Sequence, residues 1–196
     1  MNLNLKPIQT KYAGYLFRSR LEAKWAVFFD LVGLKWQYEP EGFVLPNGVQ
    51  YLPDFLVMTP QNNECWYEIK PEGTTFDEKS SMFFKSFDDE VRHSLIVGDP
   101  VYCFSNAGKI LCPRCGFIQT ASYVYDDAIY CYYCDGETPS GGGHEFIKGI
   151  FVNYQPHKGS LIVSENEWDL HSKIVDYFAL RARSSRIEFG QSGATA

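Results

Sequence analysis

Glu68 and Lys70 stand two residues apart in a run, residues 64–70, that reads as a strand. Side chains at that spacing leave the same strand face, so an acid and a base lie side by side while Tyr67 and Ile69 turn the other way into apolar packing. The preceding strand-like run, residues 51–58, carries Asp54 directly after Pro53. A proline interrupts ladder pairing and belongs at an edge or a bulge, where a side chain can be redirected. If the two runs pair, Asp54 and Glu68 converge. Two carboxylates on neighbouring strands suit a hard divalent cation, magnesium or its substitute manganese, which takes oxygen ligands and keeps several waters. Such an ion activates water and stabilises the charge that develops on a phosphodiester during in-line attack. Lys70 would orient that water or neutralise the phosphorane. The plainer reading of an acid-x-lysine strand, a solvated face, is countered by the Pro-Asp that precedes it.

A second constellation is built from cysteine. Cys112-Pro113-Arg114-Cys115 and Cys131-Tyr132-Tyr133-Cys134 each place two thiols at the spacing that grips one metal ion, with fifteen residues between the pairs. This is the four-cysteine zinc pattern. With four cysteines the coordination is closed, so the zinc is expected to be structural, folding a segment too small to build its own core. Both pairs look like the knuckles of a zinc ribbon. Tyrosines between them could stack on bases, although packing within the module is their simpler role. Cys65 and Cys103 read as small buried residues on strands.

The elements needed to position these groups follow from periodicity. Leu21, Trp25, Phe28 and Val32 recur at three- and four-residue spacing, which predicts an amphipathic helix over 19–32 ended by Gly33. Strands are expected at 34–38, 51–58 and 64–70, a second helix at 76–93, and a further strand at 94–105 with a turn at Gly98-Asp99-Pro100. After the cysteine region, residues 136–143 read as a linker, 145–154 as a strand and 168–186 as a terminal helix; residues 190–196 are small and polar. The order helix, three strands, helix, strand predicts a mixed α/β fold.

Composition narrows the class. In 196 residues, 45% are hydrophobic and 16% aromatic, which places the chain among folded proteins rather than disordered ones. No run approaches the roughly 18 apolar residues of a spanning helix, and residues 1–10 lack a signal-peptide core. A soluble protein of the cytoplasm, without a membrane partner, is therefore expected, and paired cysteines there favour zinc over disulfides. The net charge of −6 argues against indiscriminate, charge-driven binding to nucleic acid. Basic residues are nevertheless gathered near both ends, Lys6, Lys11, Arg18 and Arg20 at one and Arg181, Arg183 and Arg186 at the other.

Pro53-Asp54, thirteen intervening residues, then Glu68-Ile69-Lys70 resemble the signature of the PD-(D/E)xK, or restriction-endonuclease-like, nucleases. The predicted element order over residues 14–105 resembles that family's core. The runs around Arg18-Ser19-Arg20-Leu21-Glu22 and Arg181–Phe189 resemble those of phage-encoded and mobile-element members. The resemblance implies a mixed sheet flanked by helices, with Asp54, Glu68, Lys70 and Glu22 as candidate catalytic residues. It implies a magnesium site made by Asp54, Glu68 and the Ile69 carbonyl. Ser19 and Glu22 also fit a capping box, so Glu22 carries two readings. Arg18 and Arg20 are the candidate nucleic-acid contacts beside it, with solvated surface charge as the alternative. The Gln-xxx-Tyr pair that RecB-like exonucleases carry on the second helix is missing. The expected organisation is a nuclease core at 1–105, a zinc-ribbon insert and linker at 106–144 held by Cys112, Cys115, Cys131 and Cys134, a strand and helix packing on the core at 145–189, and a tail at 190–196. The expected function is metal-dependent hydrolysis of DNA, at structured or branched sites, in a bacterial or phage-infected cell. A catalytically idle adaptor that binds nucleic acid or protein through its zinc ribbon is the alternative.

Overall fold

A computed structural model describes residues 7–59, 62–74, 77–86, 91–112, 115–120, 124–125, 128–129, 165–185 and 187, with backbone alone at 124–125, 128–129 and 165–172. A short antiparallel hairpin, β1 (Thr10–Tyr12) and β2 (Tyr15–Phe17), leads into the first helix. Ser19 stops the extended backbone there: its Oγ accepts the Glu22 N–H at 3.2 Å and begins α1 (Arg20–Leu31). The spacing expected of an amphipathic helix holds, with Trp25, Phe28 and Phe29 fully buried on its inner side.

The chain then forms β3 (Lys35–Tyr38), a small antiparallel hairpin of β4 (Phe43–Val44) and β5 (Gln50–Tyr51), then β6 (Phe55–Met58) and β7 (Glu64–Lys70). Helix α2 (Glu78–Lys85) crosses over to β8 (Arg92–Val97). Strands β3, β6, β7 and β8 make one mixed sheet in that order, antiparallel except for the parallel β7–β8 pair. Its two faces are covered differently. Phe55, Val57, Cys65, Tyr67, Ile69 and Ile96 pack with α1, whereas Trp66 and Leu95 pack with Phe83 and Phe84 of α2 and with Leu45 and Tyr51 from the β4–β5 hairpin. Eight residues are too few for a helix to persist on propensity alone. Burial of Phe83 and Phe84, roughly 2–3 kcal/mol each, holds α2 in place.

Beyond β8 come α3 (Pro100–Ser105), a hairpin of β9 (Lys109–Leu111) and β10 (Ile118–Thr120), a second hairpin of β11 (Val124–Tyr125) and β12 (Ala128–Ile129), and α4 (Glu165–Ser184). Helix α4 packs on α1 and α3, burying Val175, Ala179 and Ala182. Gly98 ties three elements together. Its N–H donates to the Lys70 carbonyl at 2.8 Å, and its own carbonyl accepts Trp25 Nε1–H at 2.9 Å. With φ at +77° and Tyr102 Cδ1 2.5 Å from where a Cβ would stand, this position requires glycine.

The mixed α/β expectation holds, and three element boundaries differ from it. Residues 51–58 are two strands, because Leu52-Pro53-Asp54 leaves the β4–β5 hairpin before β6 joins the sheet. The second helix is shorter than 76–93, with Arg92 and His93 already in β8. Within 94–105 the strand ends at Val97, and residues 100–105 are helical, since Asp99 caps the Tyr102 N–H at 3.0 Å and Pro100 occupies the first turn. Cys103 is buried as expected, on a helix rather than a strand. The linker at 136–143, the strand at 145–154 and the tail at 190–196 lie outside the described residues. Among the described residues no helix is long and apolar enough to cross a membrane.

Candidate active site

Along β7 the side chains of Trp66, Glu68 and Lys70 share the α2 face, as the two-residue period requires. Lys70 Nζ lies 2.7 Å from Glu68 Oε1 and 2.9 Å from Asp77 Oδ2. Asp77 is also the N-cap of α2, its Oδ1 accepting the Ser80 N–H at 2.7 Å, so the helix start and the lysine are fixed by one carboxylate. Burial alone pushes Lys70's pKa down, but the two carboxylates outweigh it and raise it. Burial pushes Asp77 up; the Ser80 N–H and Lys70 outweigh that and bring it down to about 2.

Asp54 reaches the same end of the sheet from the far side of a proline break. The β6–β7 ladder stops at Phe55 opposite Tyr67, while β8 continues beside β7 to Lys70. The last residues of β7 therefore lack a strand on the β6 side. Asp54 fills that gap: its Oδ2 accepts the Ile69 N–H at 2.7 Å. Peptide groups along a strand face alternate neighbours, and Lys70's carbonyl faces β8 through Gly98. The Ile69 carbonyl accordingly faces the same gap as Asp54.

The N-terminal end of α1 completes the cluster. Glu22 Oε1 accepts Ser19 Oγ–H at 2.6 Å, and its Oε2 accepts the Tyr38 hydroxyl at 2.5 Å and the Arg18 N–H at 3.1 Å. Glu22 therefore holds the start of α1 through the Ser19 hydroxyl and the Arg18 N–H, and its charge adds to the raising of the Asp54 pKa. Arg18 places Nη2 2.6 Å from Asp54 Oδ1 and Nε 2.5 Å from Glu39 Oε1. Arg20 is half-buried at the first residue of α1.

Glu22, Asp54 and Glu68 are 8%, 3% and 5% exposed, which is unusual for three acids sharing a region. Burial first, then the charges of Glu68 and Glu22, hold the Asp54 carboxyl well above its usual range; the Ile69 N–H and Arg18 offset only part of this. Glu68 Oε2 is buried without a hydrogen-bond partner. The Tyr51 hydroxyl, bonded to Ser80 Oγ at 3.2 Å, also lies close to Glu68, which adds to burial in raising the Tyr51 pKa. An unsatisfied buried carboxylate oxygen is costly, and a hard cation is the partner that would relieve it. Glu68 and the Ile69 carbonyl thus fit a divalent ion as they stand. Asp54 fits by charge and position, but both of its oxygens are engaged, and among the described residues no three His, Cys, Asp or Glu side chains are already gathered around one point.

Of the expected zinc ligands, Cys112 and Cys115 are described; Cys131 and Cys134 lie outside the described residues. The first pair forms a tight turn between β9 and β10. The Gly116 N–H donates to the Cys112 carbonyl at 2.9 Å, the Cys112 N–H donates to the Phe117 carbonyl at 2.8 Å, and Gly116 has φ at +69°. Both thiols are buried and no disulfide joins them. This turn is packed into the main core. Phe117 stacks on Tyr67 at 5.9 Å between centroids, and the Ile118 N–H donates to the Tyr67 hydroxyl at 3.0 Å.

Arg18 thus contacts both Asp54 and Glu22, Lys70 pairs with Glu68, and the charges of Glu68 and Glu22 both act on Asp54. The structure adds Tyr38, Glu39 and Asp77, which sequence reasoning missed. Asp77-Glu78-Lys79-Ser80 carried a readable helix-start signal; nothing local marked Tyr38 or Glu39. Comparison with protein-family models and with curated proteins finds no match to the chain.

Proposed function

We propose that this protein is a divalent-metal-dependent nuclease of the PD-(D/E)xK type, hydrolysing DNA phosphodiester bonds at the open end of β7. One observation carries the reading: Asp54 and Glu68 are both buried at the same end of the sheet, near enough for the Glu68 charge to raise the Asp54 pKa, and Lys70 pairs with Glu68. Two acids held together in low dielectric repel unless a cation stands between them. Magnesium or manganese held by Asp54, Glu68 and the Ile69 carbonyl would supply an activated water and charge neutralisation at phosphorus. Lys70, kept protonated by Glu68 and Asp77, donates to the attacking water or to a non-bridging phosphate oxygen. Glu22 adds negative charge from α1. The cysteine turn supports a structural role for zinc in the same proposal, because it is buried against the sheet and away from the acid face.

The second reading is a catalytically idle adaptor, favoured by the engagement of both Asp54 oxygens without any metal. A panel of linear, circular, branched and single-stranded DNA, with RNA alongside, separates the two when incubated with magnesium, manganese or EDTA. Cleavage of DNA that requires magnesium or manganese and stops in EDTA is the expected result. Binding without cleavage in either metal would select the adaptor.

A further inference from the structure

Arg18 occupies a position that is hard to explain as a surface charge. Its side chain is 53% exposed, yet its Nη2 reaches a carboxylate whose side chain is 4% exposed. It spans two acids at once, Asp54 inside and Glu39 nearer solvent, and its Nε is also 3.3 Å from the Tyr38 hydroxyl. Glu39 itself sits at φ +45°, a left-handed conformation that non-glycine residues adopt at a cost, and its N–H is bonded to the Asp54 carbonyl at 2.9 Å. The strained residue thereby holds a second seat for the guanidinium beside Asp54. Lys70 is bound to Glu68 and Asp77, so Arg18 is the cation in direct contact with Asp54, the same oxygen that a divalent ion would need.

We propose that Arg18 is a displaceable counter-ion of the site. It neutralises Asp54 while no divalent ion is there, yields Oδ1 when the ion arrives, and then presents its freed Nη2 to the substrate phosphate, with the Tyr38 hydroxyl and the Glu39 charge retaining Nε throughout. This deepens the nuclease reading and rests on it. Two consequences follow from linkage. Arg18 lowers the affinity for metal in the absence of DNA, and metal raises the affinity for DNA through Arg18. A partly exposed ion pair corresponds to about a two- to fivefold effect. A planar, always-charged guanidinium suits both partners, because carboxylate and phosphate present the same pair of oxygens.

The test is calorimetric titration of manganese into the wild-type protein, Arg18→Ala, Arg18→Gln and Asp54→Ala without nucleic acid, each checked for folding by thermal melting. The expected result is about two- to fivefold tighter manganese binding by both Arg18 variants and loss of that binding in Asp54→Ala. Duplex binding is then measured with and without manganese in a Lys70→Ala background, where turnover does not interfere. Manganese should raise duplex affinity with Arg18 present and do so less with Arg18→Gln. Unchanged manganese affinity in both Arg18 variants would overturn the inference while leaving the nuclease reading standing, provided Asp54→Ala still abolishes binding. Equal manganese-dependent gains in duplex affinity would overturn the hand-over to phosphate. No manganese binding by any of the proteins would remove both the inference and the reading beneath it.

Discussion

Tyr67 and Glu68 are neighbours on β7, and both are buried, but on opposite faces they end differently. Tyr67 stacks between Phe29 and Phe117, and its hydroxyl accepts the Ile118 N–H. Every polar group it buries is answered. Glu68 is bonded to Lys70 through one oxygen and leaves the other without a partner. Burial alone therefore does not separate a structural residue from a functional one. The separation lies in whether the polar atoms are satisfied: a satisfied face stabilises the fold, whereas an unsatisfied acid keeps an unmet demand for a cation.

Replacing Glu68 by alanine should make the largest difference between the faces. Metal-dependent cleavage should fall by roughly a thousandfold or more, beyond the scale of losing one transition-state donor, with the melting temperature unchanged or raised because an unsatisfied charge has gone. Wild-type turnover by Glu68→Ala would put the chemistry elsewhere. Tyr67→Phe should show the converse. It strands the buried Ile118 N–H, so unfolding in urea should report a loss of about 1–3 kcal/mol, with cleavage close to wild type under conditions where the variant is folded. A Tyr67→Phe protein as stable as the parent, but inactive, would reverse the assignment of the faces.

The smallest expected effect is in the pH dependence of stability. The Asp54 carboxyl is raised above its ordinary 3.8 by burial and then by Glu68 and Glu22. A raised carboxyl favours the fold fully below the unfolded value, and that contribution is lost as pH climbs through the folded value. Asp77 has the opposite sign: lowered to about 2, it favours the fold above 3.8 and loses that contribution as pH falls toward 2. The two windows do not overlap. Metal-free wild-type protein should accordingly lose melting temperature as pH rises above the ordinary carboxylate value of 3.8 toward the raised folded value, and Asp54→Asn should flatten that slope. Parallel slopes for the two proteins would show that Asp54 carries no such strain.

What could be read in advance follows the same division. The adjacency of Glu68 and Lys70 is a matter of strand period, and the break before Asp54 is a matter of proline, so both were legible. Ser19 announced the start of α1 in the same way. Residues 100–105 were misread because Val101, Tyr102 and Phe104 favour strands by composition, while the cap and proline before them point to helix and prevail. The partners of Arg18 were not legible, since Asp54 lies 36 residues away and no local pattern encodes that contact. Nor did cysteine spacing reveal that its first pair would be built into the main core, because Phe117 and Ile118 meet Tyr67 only through tertiary packing.

Gly98 also has a consequence for how the protein is made. Its bond to Trp25 spans 73 residues, and its bond to the Lys70 carbonyl completes the β8 side of β7. A ribosome releases the chain from the N-terminus onward, so any nascent fragment ending before Arg92 holds Asp54, Glu68 and Lys70 without the strand that frames them. The acids are all synthesised long before they are assembled. Synthesis order thus keeps the site unformed on the ribosome until β8 emerges, a delay imposed by topology without any inhibitor.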